Sequence, residues 1–321
     1  MPTGVGVQDA WIGLGEESVY GTSVARTRWL FHNTESIRAI ENKNFAGALH
    51  KVGRNAARQV QGLVGVSGDF SFNPGLSYHA YTMLLKHLMG TVSSSQPDTT
   101  AAPTVYRHSF TPADALPTGL SLEVGKDVLS HLFDGCKVTG MRFAGSAGAL
   151  LDCSVSIIGR QSSSISDSGE SLTEGNIPPL TDTTATFGGT TLNVIDFSIS
   201  VENALTVRNF VNSRFTSEPL RNGKRRVSGS FRVELEDASL WSDWRNATRR
   251  ALTITVNGLT ITGSYKYYTK FTMPVVELVE AQAQADTEGP LVIPVSFEAF
   301  YDTTNENELT IEVQNENSAA V

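Results

Sequence analysis

A short pattern that occurs twice constrains this chain more than any other feature. Val66-Ser67-Gly68-Asp69-Phe70 recurs as Val227-Ser228-Gly229-Ser230-Phe231, and Ile40-Glu41-Asn42 recurs as Val201-Glu202-Asn203, both pairs at the same offset along the chain. One offset over two separated matches makes the intervening stretches, 43–65 and 204–226, equal in length, as a duplicated unit requires. Each copy then passes from its Val-Ser-Gly-x-Phe segment into a helical pattern. In the first, Ser77 is placed to cap a helix with apolar Tyr81, Leu84, Leu85 and Leu88, stopped by Gly90. That is the stripe of a helix lying on a sheet. In the second, a helix is expected from an Asp237 cap through Leu240, Trp241, Trp244 and Ala247. Arg249 and Arg250 are placed at its end, where positive charge complements the dipole. A third match, Leu151-x-x-x-Val155-Ser156 against Leu291-x-x-x-Val295-Ser296, has a shorter offset. An insertion at 91–104 rich in Ser, Thr, Pro and Ala, read as a surface loop, accounts for the difference.

Elsewhere the hydrophobic period is two. Segments 66–72, 138–143, 195–201, 227–235, 252–256, 293–297 and 309–313 alternate apolar and polar residues, as half-buried antiparallel strands do. The expected fold is all-β, with one short helix per domain and two tandem domains. The boundaries are an N-terminal extension at 1–30, a first domain at 31–162, a linker at 163–190 and a second domain at 191–321. The linker is placed where Ser, Gly and Pro concentrate, and residues 315–321 are expected to fray.

The chemistry of the chain is sparse. Only two cysteines occur, Cys136 and Cys153, both in alternating segments and both read as core thiols, so no disulfide framework is expected. Gly13-Leu-Gly15 lacks the third glycine of a nucleotide-binding turn, and no phosphate loop, zinc-protease helix, nucleophile elbow or calcium loop is present. Carboxylates are plentiful, but no pair stands out. We expect no enzyme, no cofactor and no metal. No segment approaches the roughly 20 apolar residues of a membrane span, and residues 1–21 lack the charged, then apolar, plan of a secretory leader. A soluble protein made in a cytoplasm is the expectation. The net charge of −8 argues against a surface built to grip nucleic acid.

Inside this acidic chain the matched intervening stretches are basic. Lys43, Lys51, Arg54 and Arg58 fall in the first; Arg208, Arg214, Arg221, Lys224, Arg225 and Arg226 fall in the second. Each stretch is too long for a tight hairpin and is expected to project as an arm. Three uses are open: a solvated loop, an arm docking on an acidic face of a neighbouring subunit, or a nucleic-acid contact. The third lacks interleaved stacking aromatics.

Over most of its length the sequence resembles the tail tube proteins of long-tailed phages, of roughly 300 residues. The resemblance is carried by Gly15-Glu-Glu-Ser-Val-Tyr-Gly-Thr22, residues 31–37, and the strand at 65–72 with its following helix. It continues through Gly135-Cys-Lys-Val-Thr-Gly140, Gly145-Ser-Ala-Gly-Ala-Leu-Leu151, the 227–231 segment and the closing strand at 309–315. It implies β-sandwich or half-barrel domains whose inner sheets join those of neighbours around a hollow lumen that passes double-stranded DNA without specific binding. Tubes of this kind resemble rings of six single-domain subunits, so two domains per chain imply a three-chain ring with pseudo-sixfold symmetry, a six-chain ring being the alternative. Tape-measure, terminator and tail-tip proteins are the partners it implies, and the virion tail the location. A carbohydrate-binding β-sandwich of a fibre or secreted protein is the competing reading. It would explain Trp11, Trp29, Trp241 and Trp244, although Trp241 and Trp244 fall on a helical stripe and are expected in the core.

Overall fold

The computed structural model describes residues 10–45, 59–77, 79–126, 130–166, 168–171, 175–283 and 291–321. The first half contains β1 (Trp11–Glu17), β2 (Arg28–Leu30), β3 (Thr34–Glu35), β4 (Arg38–Phe45), β5 (Gln59–Phe72), α1 (His79–Met89), β6 (Gly90–Ser95), β7 (Tyr106–Pro112), β8 (Gly119–Gly125), β9 (Ser130–Ser146) and β10 (Asp152–Gly159). Then come β11 (Gln161–Ile165), β12 (Thr183–Phe187) and β13 (Thr190–Leu192). The second half contains β14 (Val194–Glu202), β15 (Leu205–Arg208), β16 (Ser217–Arg221), β17 (Arg226–Glu234), α2 (Ser239–Arg245), β18 (Arg250–Thr262), β19 (Tyr265–Ala281), β20 (Val292–Ala299) and β21 (Thr310–Asn315). The fold is all-β, with two helices among the described residues.

Eight strands lie side by side in the order β4, β5, β10, β9, β14, β17, β20, β19, every neighbouring pair antiparallel. Four come from each half, and the halves meet where β9 pairs with β14, Met141 opposite Val201 and Phe143 opposite Ile199. One face of this sheet is core: Phe70, Phe143, Val155, Ile199, Val201, Phe231 and Phe297 are all buried on it. Period-two alternation puts Ser67, Ser71, Ser154, Ser156, Ser198, Ser200, Ser228, Ser230 and Ser296 on the other.

The two halves share an irregularity that no short motif discloses. The β9–β10 ladder skips Thr139, and the β19–β20 ladder skips Val279, two positions separated by the same offset as Leu151 and Leu291. The recurring glycine has a mechanical reason. A Cβ on Gly229 would stand 2.3 Å from the Ser198 carbonyl oxygen, and one on Gly68 would stand 2.5 Å from Ile37 Cα. In both copies the preceding strand crosses too close for a side chain.

The Ile40-Glu41-Asn42 match does not survive in register. Ala39 lies opposite Val66 in the first copy, whereas Val201 lies opposite Val227 in the second. Ala39, not Ile40, therefore occupies the place of Val201. The buried face decides: Ile37 must point into the core and Arg38 away from it, which fixes the pairing one residue from where the sequence match put it.

Other expectations also need correction. Helix α1 does not lie on a sheet with one face open; it is buried on nearly every side, Thr82, Met83, His87 and Met89 included. Ser77 Oγ accepts the Asn176 N–H at 3.3 Å. Residues 91–104 are not all loop, since β6 pairs with β7 along Gly90–Ser95. Helix α2 ends at Arg245, short of Arg249 and Arg250. Ala238, not Asp237, stands at the cap position of α2; Asp237, one residue earlier, accepts the Ser239 N–H at 2.8 Å, and Arg250 reaches back from β18 to Asp243, Nη2 to Oδ1 2.9 Å. The C-terminus does not fray: Asn317 Nδ2 donates to the Ser77 carbonyl at 2.9 Å, and Ala320 is buried, its carbonyl accepting from Thr82.

The remaining strands close the core. β1 pairs with β2 and β8, so residues 11–30 are built into the first half. β8 and β11 flank the N-terminal part of β9. β12, within 163–190, forms a hairpin with β13 at the end of that stretch and joins β18 on its other side. β21 joins β19 to β7, Val313 opposite His108, and so returns the chain end to the first half.

Candidate assembly surfaces

The second basic stretch does not project; it lies along its own first half. β15 and β16 form a separate ribbon. Beyond its turn the Val64 N–H donates to the Arg214 carbonyl at 2.9 Å, and the Arg214 Nε donates to the Gly62 carbonyl at 3.2 Å. Thr216 Oγ1 donates to the Gly159 carbonyl at 3.2 Å, and Arg160 stacks over Phe215. Lys137, buried, meets Glu218 at 2.6 Å. Arg208 donates twice to the Glu218 carbonyl, holding the ribbon's own hairpin, and lies over Phe210. Arg221 contacts Asp114 at 2.7 Å. Lys224 is exposed on the turn before β17, and Arg226 pairs with Glu298 at 3.0 Å.

Arg225 anchors the stretch. Its guanidinium donates to Asn203 Oδ1 at 2.8 Å and, at 3.3–3.4 Å, to Glu308 and to the Met89 and Ala113 carbonyls. Burial lowers its pKa, with Glu308 opposing that shift. Asn203, also buried, completes the knot: its N–H donates to the Thr139 carbonyl at 2.7 Å, and its Nδ2 donates to Leu88 at 2.9 Å and Val138 at 3.2 Å. One amide thus links α1, β9 and the second half. The sequence singled out Arg225 as one charge in a run; nothing in it marked Asn203 as its partner.

The first basic stretch is only partly described. Lys43 lies on β4, which continues with β5 as an exposed ribbon to Phe45 opposite Gln59. Lys51, Arg54 and Arg58 lie outside the described residues.

The serine-rich face of the eight-stranded sheet carries Asp69, Asp152, Asp196, Glu202, Glu234 and Glu298 against Arg142, Arg226 and Arg232. Arg232 is held by Asp196 and Arg226 by Glu298. Short hydroxyls bridge neighbouring strands there: Thr34 to Ser71 at 2.7 Å and Ser198 to Ser230 at 3.1 Å. At the two ends of this sheet, among the described residues, β4 and the last residues of β19 each have a strand on one side only.

Among the described residues no cluster of metal ligands occurs, and no helix is long and apolar enough to cross a membrane. Cys136 and Cys153 are free and buried, with thiol pKa values pushed well up by burial. Trp11 is buried, and Trp244 donates its indole N–H to the Val279 carbonyl at 2.9 Å. Trp241, expected in the core, is 49% exposed under Arg245 because α2 turns that side to solvent. Two surface depressions, of about 500 and 420 Å³, are lined by a mixture of charged, small polar and apolar residues with no exposed aromatic ring.

Residues 8–299 match the family model described as phage tail tube protein. The chain belongs to the phage tail tube protein family. No curated protein matches the sequence. As a tail tube protein it is a structural component of a virion tail, and the single large sheet joining its two halves accords with that role.

Proposed function

We propose that this tail tube protein is the major subunit of a long, non-contractile tail, three chains closing a ring and rings stacking around a lumen that conducts double-stranded DNA. The observation that carries this reading is the β9–β14 junction, where two copies of one strand plan already join edge to edge into a single sheet. A joint that links copy to copy within a chain is a head-to-tail contact, the kind that closes rings when repeated. Two copies per chain make a three-chain ring pseudo-sixfold.

The serine-rich face is the lumen wall in this reading. Short hydroxyls leave few long side chains to catch a duplex, and the excess of carboxylates repels phosphate, so DNA passes without specific binding. The protein needs neither catalysis nor a cofactor for this. Assembly takes place in the host cytoplasm, with tape-measure, terminator and tail-tip proteins as partners inside and at the ends of the tube. The basic stretches are the subunit arms: the second holds the two halves of one chain together, and the first does the same between chains. Negative-stain microscopy of the purified chain tests the reading. Hollow tubes or rings of three chains are expected; class averages with six whole chains per ring refute the stoichiometry, and monodisperse small particles refute the tube.

A further inference from the structure

We infer that the free edge of β4 pairs with the free edge at the end of β19 in the next copy, in the register set by the β9–β14 junction inside each chain. This rests on the ring reading above and specifies its contact.

The strand count permits it. The sheet has an even number of strands, all antiparallel, so β19 of one copy and β4 of the next run in opposite directions, as β9 and β14 do. The register follows from the repeat. The shared bulge makes β19 the counterpart of β9, with Val279 in the place of Thr139. The pairing of Ala39 with Val66 and of Val201 with Val227 makes β4 the counterpart of β14, with Ala39 in the place of Val201. Met141 opposite Val201 becomes Ala281 opposite Ala39. Arg142 opposite Ser200 becomes Gln282 opposite Arg38, and Gly140 opposite Glu202 becomes Glu280 opposite Ile40.

The side chains suit this pairing. Ala39 and Ala281 are small on the core face. On the polar face Arg38 sits diagonal to Glu280, an opposite-charge arrangement that supports antiparallel strands. Two exposed apolar residues stand on these edges, Ile40 at 43% and Val279 at 60%, and the junction covers both. Until then Trp244 covers the Val279 carbonyl, blunting an edge that would otherwise recruit other chains.

The test is a pair of cysteine substitutions in one chain, Ala39→Cys with Ala281→Cys and, separately, Arg38→Cys with Gln282→Cys. Each is oxidised under assembly conditions and read on non-reducing gels beside electron micrographs. Adjacent opposite pairs alternate between narrow and wide separations, so at least one of the two should bridge efficiently. A ladder of linked chains is expected. Ile40→Cys with Ala281→Cys represents a slip of one residue; its cysteines then point to opposite faces, and linkage should fall by about tenfold or more. Rings that link through the slipped pair, or through none of the three, overturn the junction and leave the ring reading standing. A wild-type chain that stays monomeric across its concentration range overturns both.

Discussion

Replacing Asn203 with alanine should unfasten the joint between the two halves. The side chain is 2% exposed and makes three hydrogen bonds, two as donor to the Leu88 and Val138 carbonyls and one as acceptor from Arg225. Each neutral bond contributes about 1 kcal/mol and the charge-assisted bond about 2 kcal/mol, so Asn203→Ala should cost about 4 kcal/mol. The backbone bond to Thr139 remains, so the loss belongs to the side chain. Equilibrium urea unfolding, followed in parallel by tryptophan fluorescence and circular dichroism, measures it. Arg225→Met provides the cross-check, because the two side chains share a bond and their effects should fall short of additivity by about 1–2 kcal/mol. Asn203→Asp should not rescue. It retains an acceptor for Arg225 but turns a carboxylate toward two carbonyls that need a donor. A cost below about 1 kcal/mol for Asn203→Ala, or full additivity with Arg225→Met, would refute the knot as the fastening of the halves.

Three further outcomes are expected. Glu218→Gln strands the buried Lys137 ammonium and should cost about 2 kcal/mol, less than for a fully buried pair because Glu218 is partly solvated; faster limited proteolysis within 209–216 would report the released ribbon. Gly229→Ala should cost about 3 kcal/mol or more through its clash with the Ser198 carbonyl, while Ser228→Ala beside it stays within about 0.5 kcal/mol; thermal melts decide this. Burial lowers the His87 pKa from 6.5, with Glu16, Lys86 and Lys137 facing it. The unfolded chain therefore takes up this proton first as pH falls. Stability is complete above about pH 6.5 and declines by up to about 1.4 kcal/mol per pH unit below it. His87→Gln should flatten that slope below about pH 6.5. Glu16, whose pKa is lowered to about 2 by contacts with His87 and Lys86, acts in a lower window, losing its contribution as pH falls from 4.5 toward 2.

The strand plan was legible because alternation reports a half-buried face directly, and Gly68 and Gly229 stood out in the sequence because each answers to a close backbone contact. The register of β4 was not. Ile40-Glu41-Asn42 matches by residue type, but register answers to burial, and only the packing of Ile37 reveals which face is inward. Nor was the fate of the second basic stretch readable from charge alone. Arg225 is held chiefly by an amide and by carbonyl oxygens, with Glu308 as a carboxylate partner, and carbonyls leave no signature in a sequence. Trp241 misled because a helix of seven residues is too short for its stripe to specify a buried side.

The return of β21 to β7 bears on how the chain is made. His108 lies opposite Val313 and bonds Asn315 and Asn317, so the first half completes its sheet only with residues about 207 positions further along the chain. A chain released early by the ribosome, stopping before Thr310, leaves β7 and β19 without their shared neighbour and α1 without the contacts at Ser77 and Thr82. The strand that unites the two halves through β7 and β19 is therefore the last one the chain supplies among the described residues, and the first half cannot finish its packing before it arrives.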